Sequence, residues 1–159
     1  MIKKLWLSIV NAFWNFFYEE LSDAQVHELY DKFSNYFELA QYLQANGFEW
    51  KSDSMNLLPI YKLDSFERPN QVLARRWANC SGYMRLFSDF IRYKRCADKV
   101  EECLLHNGAI GEYHYVCMIQ DRGVVYLQSN MGVSVLDKPL LEYYKGKYHF
   151  QELIDVWTK

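Results

Sequence analysis

Two residues of this chain have the type and setting to make and break a covalent bond: a cysteine at the start of a helix and a histidine in a strand. Cys80 stands in Trp77-Ala78-Asn79-Cys80-Ser81-Gly82-Tyr83-Met84-Arg85-Leu86-Phe87, where apolar residues begin to recur at helical spacing just after Asn79. The first turn of a helix carries N–H groups without intrahelical acceptors and a partial positive charge, and both stabilise a thiolate. Downstream, Tyr113-His114-Tyr115-Val116-Cys117-Met118-Ile119 alternates as a strand does, Gln120 to Gly123 reads as a turn, and Val124 to Asn130 reads as a second strand. Cysteine catalysis needs a thiolate, a histidine that takes its proton and returns it to the leaving group, and a residue that orients the far nitrogen of that histidine. Cys80, His114 and a polar residue of the 128–130 segment meet those needs.

Each has a bland alternative. A free cysteine is most often a small buried hydrophobe, and His114 could be a strand histidine packed between Tyr113 and Tyr115. Two features favour chemistry at Cys80: its position at a helix start, and Gly82 two residues on. A glycine inside a helix costs about 1 kcal/mol against alanine, so it points to something coming close there. Among the other histidines, His106 and His149 do not precede a paired-strand pattern and His27 lies on an early helix. For the third member, strand alternation puts Gln128 and Asn130 on one face and Ser129 on the other. A neutral amide can orient an imidazole through its oxygen, as an asparagine does in papain-like proteases. Asn130 is the first choice and Gln128 the second. Asp121 reads as a turn residue and Asp137 lies too far along. An oxyanion hole would use the Cys80 N–H with one donor from Gln71, Trp77 or Asn79, although Asn79 also suits an ordinary N-cap and Trp77 an ordinary core aromatic.

The run Asn79-Cys80-Ser81-Gly82-Tyr83, followed by Leu86-Phe87 and Phe90-Ile91, resembles the nucleophile helix of the transglutaminase-like cysteine peptidase superfamily. Bacterial members of that family often carry Cys-Ser-Gly-Tyr-Ala there, and Met84 takes the place of the alanine. The resemblance spans Asn70 to Asn130 and implies a histidine opening a strand, a role that His114 fits, with a carboxylate near the end of the next strand. At that third position the chain departs from the family: an ungapped overlay lands on Ser129, flanked by Gln128 and Asn130. The implied activity is acyl transfer or hydrolysis at a peptide, Gln or isopeptide amide through a Cys80 thioester, with no cofactor. Hydrolysis is the expected outcome because water is always present as acceptor. The missing carboxylate supports an alternative, a catalytically weak or inactive domain used as a protein-binding module. An arylamine N-acetyltransferase would share the triad logic but would need a longer chain and an acyl-CoA site.

The elements that must position these residues read as α+β, with helices preceding strands: N-terminal helices and the cysteine-bearing helix packed on a small antiparallel sheet, a transglutaminase- or papain-like core. With 159 residues the expectation is a single domain. Ser22-Asp23 opens an amphipathic helix that runs to Asn46-Gly47, Phe48 to Leu63 reads as loop or a short extended piece, and Pro69 starts a short helix to Arg76. The Cys80 helix reaches about Arg95. Between Cys96 and Gly111 the spacing of Val100, Cys103 and Leu104 before Asn107-Gly108 suggests a helix, whereas the resemblance implies a strand nearby. A third strand is expected at Val133 to Leu136, a helical segment at Pro139 to Tyr144, and a final short helix or strand at Phe150 to Trp157.

Net charge is −2, with both signs interspersed, so neither a nucleic-acid surface nor a polybasic membrane patch is indicated. The expected partner is a protein or peptide substrate. Residues 1–20 read as an aromatic N-terminal helix that docks on its own domain, on a partner protein or at a membrane interface, with a targeting segment as the remaining alternative, and too short and interrupted by Asn11 and Asn15 to span a bilayer. The four cysteines are unevenly spaced and read as reduced, which fits a cytoplasmic setting. Cys103-x-x-His106 has a zinc-like spacing but no second close pair, so no metal is expected.

Overall fold

The structure, a computed structural model, describes residues 20–51, 67–106, 113–145 and 152–155. The aromatic N-terminal segment lies outside the described residues. In chain order the elements are α1 (Asp23–Tyr30), α2 (Tyr36–Ala45), β1 (Glu49–Trp50), α3 (Pro69–Arg75), β2 (Trp77–Ala78), α4 (Cys80–Lys94), β3 (Lys99–His106), β4 (Tyr113–Asp121), β5 (Val124–Ser129), β6 (Gly132–Val135), α5 (Leu140–Tyr144) and β7 (Glu152–Asp155). The architecture is α+β, with the Cys80-bearing helix packed on an antiparallel sheet, as expected.

The sequence places one helix between Ser22 and Asn46, but the chain forms two. The break is chemical. Asn35 Oδ1 accepts from the N–H groups of Phe37 and Glu38 at 2.9 and 3.1 Å, and Glu38 accepts from the Ser34 N–H at 2.7 Å, so a second N-cap outcompetes continuation. The helix expected between Cys96 and Gly111 is instead β3. Both faces of this strand are covered: Val100 and Leu104 pack toward the helices, Cys103 and Leu105 toward the other side. A strand buried on both faces loses the alternation by which strands are recognised. The ambiguous C-terminal segment is strand β7, and α3, α4, β6 and α5 fall within a residue or two of expectation.

The sheet runs β6-β5-β4-β3-β7, each neighbouring pair antiparallel, with β1 and β2 a small separate parallel pair. The β4–β5 turn is tight, with Arg122 and Gly123 both at positive φ. Along β4, Tyr115, Cys117 and Ile119 belong to the main core with Tyr83, Met84, Phe87 and Phe90 of α4 and with the buried faces of α1, α2 and α3. Val116 and Met118 face the other way, with Leu105, Leu127 and the α5 residues Leu140 and Tyr144. Among the described residues, α4 and α2 pack on one face of the sheet, with α1 and α3 in the same core, and the short α5 packs on the other. Among the described residues no helix is long and apolar enough to cross a membrane.

Candidate active site

Cys80 is the first residue of a well-terminated helix. Asn79 precedes it in extended conformation, and its side-chain oxygen accepts from the Gly82 N–H at 2.9 Å and from the Ser81 hydroxyl at 2.7 Å. At the far end Arg95 takes the left-handed conformation, φ 51°, and stops the helix. Cys80 is half-buried and packs against the main core. The positive end of a fifteen-residue helix dipole therefore lies at its thiol. None of the four cysteines is in a disulfide.

Gly82 is explained by what crowds it. A Cβ there would lie 2.5 Å from Glu67 Oε2 and 2.8 Å from the Ala78 Cβ. The side chain that comes close is a carboxylate: Glu67 is 2% exposed and bridges to Arg75 at 3.3 Å. Gly82→Ala is expected to lower stability by about 1–3 kcal/mol, where helix propensity alone would raise it by about 1 kcal/mol. A urea midpoint that rises in this variant would contradict the crowding account.

The other end of the constellation sits where β4 begins. Cys117 of β4 contacts the Met84 carbonyl, Sγ to O 3.3 Å, and the far end of β4 is tied to the segment after α4 by the bond from Asp98 N–H to Gln120 O. Helix and strand thus run in the same direction. Cys80, one turn before Met84, and His114, before Cys117, lie toward the same end of the sheet. The described contacts of His114 are to Ser129 and Tyr144: Nε2 lies 2.9 Å from Ser129 Oγ, and the ring meets that of Tyr144 edge-on at 5.5 Å between centroids. These contacts lie with the α5-side residues, so His114 is on the face of the sheet opposite the α4 layer that holds Cys80, and Cys80 does not line the pocket that His114 helps form.

That pocket, of about 300 Å³, is bounded by His114, Ser129, Asn130, Val133, Tyr143 and Tyr144 among others. Burial pushes the His114 pKa down from 6.5 to about 4, so its imidazole is neutral at neutral pH. The shift also makes a stability prediction. Between about pH 6.5 and 4 the unfolded chain binds a proton that the folded chain excludes. Stability from this group is therefore complete above pH 6.5 and falls as pH drops through that window, by about 3 kcal/mol in all. In paired urea titrations at pH 7.5 and 4.5, a His114→Gln variant should lose this part of the acid sensitivity. An acid response unchanged from wild type would contradict it.

The third position differs from the sequence expectation. Gln128 is fully buried and committed to the backbone, accepting from the Cys117 N–H at 3.1 Å and donating to the Asn130 carbonyl. Its neighbours in register are Cys117 and Val133, on the α4 side. Asn130 does not continue the alternation, because β5 ends at Ser129 and Asn130 turns the chain with φ 52°. Ser129 thus meets the imidazole. The ungapped family overlay, which lands on Ser129, was the signal for this contact, and the preference for an amide at this position obscured it.

The oxyanion candidates are largely employed elsewhere. Gln71 caps α3, accepting from the Arg68 N–H at 3.1 Å, and donates to Glu20. Asn79 caps α4. The Trp77 ring is engaged by the cations of Arg75 and Lys51, at 4.6 and 5.7 Å to its centroid. The Cys80 backbone N–H remains the candidate, at the helix start where the ladder supplies no acceptor. Sequence reading missed Glu67 and the α5 tyrosines, because neither has a local pattern linking it to a distant site. Cys117 and Cys96 do not compete as nucleophiles, since burial raises both thiol pKa values.

The fold and site define an α+β protein with a thiol at a helix terminus and a histidine–serine pair on the adjoining sheet. Comparison with protein-family models, with curated proteins and with solved structures finds no match.

Proposed function

We propose that this chain is a thiol-dependent acyl-transfer enzyme, a hydrolase of transglutaminase-like type acting on a peptide, Gln or isopeptide amide. What supports the reading is Cys80 at the N-terminus of α4, where the helix dipole favours a thiolate, with His114, 2.9 Å from Ser129, toward the same end of the sheet on its opposite face. In the proposed reaction a base, for which His114 is the candidate, takes the Cys80 proton. Sγ then bonds to the carbonyl carbon, the C–N bond breaks, and the amine leaves with the proton from the imidazolium. Water attacks the thioester, regenerating the thiol and releasing a carboxylate. Ser129 stands where the family has a carboxylate and orients the ring as a neutral group, so the imidazolium receives less charge stabilisation than in a full triad. The substrate is a protein or peptide, no cofactor enters, and the setting is the cytoplasm.

Trapping tests this reading. The protein is mixed with p-nitrophenyl acetate and with short peptide amides, quenched in acid and analysed by intact mass and peptide mapping. An acyl adduct on Cys80 that decays in water is expected. Adducts only on lysines, or none on Cys80 in the folded protein, would sink the reading and favour the inactive binding module, to which the lack of a carboxylate at position 129 lends its support.

A further inference from the structure

The sheet ends in a strand that lacks the usual protection of an edge. Among the described residues β6 has one neighbour, β5, and lies at the margin of the sheet. Leu136 N–H donates to the Val125 carbonyl at 2.8 Å. In an antiparallel ladder this makes Gly132, Ser134 and Leu136 the residues that bond inward, and it leaves the N–H and C=O groups of Val133 and Val135 directed away from β5. Natural edges are blunted by lysine, proline or a bulge. Gly132-Val133-Ser134-Val135 has none of these in an unbroken register, and Lys138 and Pro139 come only after the strand has ended. Ser134 and Val135 are exposed, Val135 by 56%.

The surface beside that edge narrows what could cover it. Val135 stands opposite Tyr126 in register, the Phe37 ring of α2 meets Tyr126 edge-on at 5.2 Å, and Val124 shares the Tyr126 face of β5. Phe37, Val124 and Val135 are all exposed, so they form one apolar patch. Gln44 Nε2 donates to the Met131 carbonyl at 3.2 Å, so α2 lies along the β5–β6 hairpin and sets Phe37, Gln41 and Gln44, a stripe at helical spacing, beside β6. Neither the stripe nor the strand carries a charge. That property selects the partner. Near a two-fold axis each group meets its own copy, so charges there would repel, whereas an uncharged strand and stripe complement themselves. A pair of four-residue strands alone falls short of the roughly 800 Å² per partner of a stable interface, and the α2 stripe extends it.

We infer that this edge joins two copies of the chain, β6 pairing antiparallel with the partner's β6 about a two-fold axis at Ser134. In that register Val133 exchanges N–H and C=O bonds with the partner's Val135, and Val135 with the partner's Val133. Ser134 faces the partner's Ser134 as a pair without mutual hydrogen bonds, and the two sheets become one. The axis stands perpendicular to the sheet, so both α2 helices lie on the same side and their uncharged stripes meet. The inference does not rest on the acyl chemistry, and the failure of either leaves the other standing.

The test is analytical ultracentrifugation of the full chain over about a hundredfold range of concentration. The mass should rise from the 19.1 kDa of one chain toward twice that value. Val135→Lys puts a charge on the exposed edge without emptying the core, so it should fold and raise the dissociation constant of the dimer at least about tenfold. Tyr93→Lys replaces a similarly exposed ring stacked on His27 of α1, away from this edge, and should dimerise as wild type does. Ser134→Cys should give, on mild oxidation, a dimer linked between the two introduced thiols, located by peptide mapping. Facing Cα atoms in such a pair lie about 4.5 Å apart, within reach of a disulfide. A chain that stays monomeric at every concentration would overturn the inference and leave the edge to an extended segment of another protein. So would a folded Val135→Lys that dimerises like wild type, an equal loss in Tyr93→Lys, or no link between the introduced thiols.

Discussion

His114→Gln is expected to lower the rate of Cys80 acylation by about 10²–10⁴-fold, the usual contribution of a general base, with the fold intact at neutral pH. Glutamine fills a similar space and can still meet Ser129, but it cannot accept the thiol proton. Ser129→Ala should cost about tenfold, because a neutral orienting group supplies direction without the charge that a carboxylate would add. Asn130 and Gln128, the residues first favoured for that role, should divide differently. Gln128→Ala should destabilise the β5–β6 turn, since its buried amide bridges the Cys117 N–H and the Asn130 carbonyl. The check is a stopped-time acylation series with p-nitrophenyl acetate, each variant first shown to unfold cooperatively in urea. A His114→Gln protein that acylates at the wild-type rate would assign the base to another residue.

The second large effect concerns the ion pair behind the Cys80 helix. Arg75 bridges to the buried Glu67 carboxylate at 3.3 Å, with side chains 12% and 2% exposed, and its guanidinium also lies 4.6 Å from the Trp77 ring centroid. Removing one member of a buried pair costs about 3–5 kcal/mol, because a charge remains in a poorly solvated place. Arg75→Ala should therefore unfold at much lower urea. Glu67→Gln should be milder, and the double variant Glu67→Gln with Arg75→Ala should be less destabilised than the sum of the two. Arg75→Lys should recover only part, having lost the planar stack on Trp77. If Arg75→Ala costs less than about 1 kcal/mol, the pair behaves as a surface bridge and the account of Glu67 fails. Because Glu67 also crowds Gly82 in the first turn of α4, loss of Arg75 should also alter the alkylation rate of Cys80.

What the sequence announced and what it concealed follow from the range of the interactions. The α4 helix was legible because its signals are local: Asn79 caps it, and apolar residues recur at three and four from Tyr83 to Ile91. The β4–β5 hairpin was legible for the same reason, through Arg122-Gly123 and the alternation before it. β3 was not, because a central strand is apolar toward both neighbouring layers. The split of the first helix at Asn35 depended on a few side-chain hydrogen bonds that compete closely with continuation. At the site, Cys80 and His114 were singled out by residue type and setting, and the structure puts them toward one end of the sheet on opposite faces. The partner of His114 was misassigned because alternation was carried one residue past the end of β5, into a left-handed turn. Tyr144 reaches the histidine from α5 on the far face of the sheet, a contact between segments about 30 residues apart that no local pattern encodes.

The central claim is that Cys80 is a thiolate nucleophile served by His114, and the rate of iodoacetamide labelling against pH tests it most directly. Wild type, Cys80→Ser and His114→Ala are compared under native conditions, with the modified cysteine located by mass spectrometry. The account predicts fast labelling confined to Cys80, with an apparent pKa below the ordinary thiol value of about 8.5 set by the helix N-terminus, and slower labelling when His114 is lost. A Cys80 that stays unlabelled until the protein unfolds, or a labelling rate that His114→Ala leaves unchanged, would contradict it.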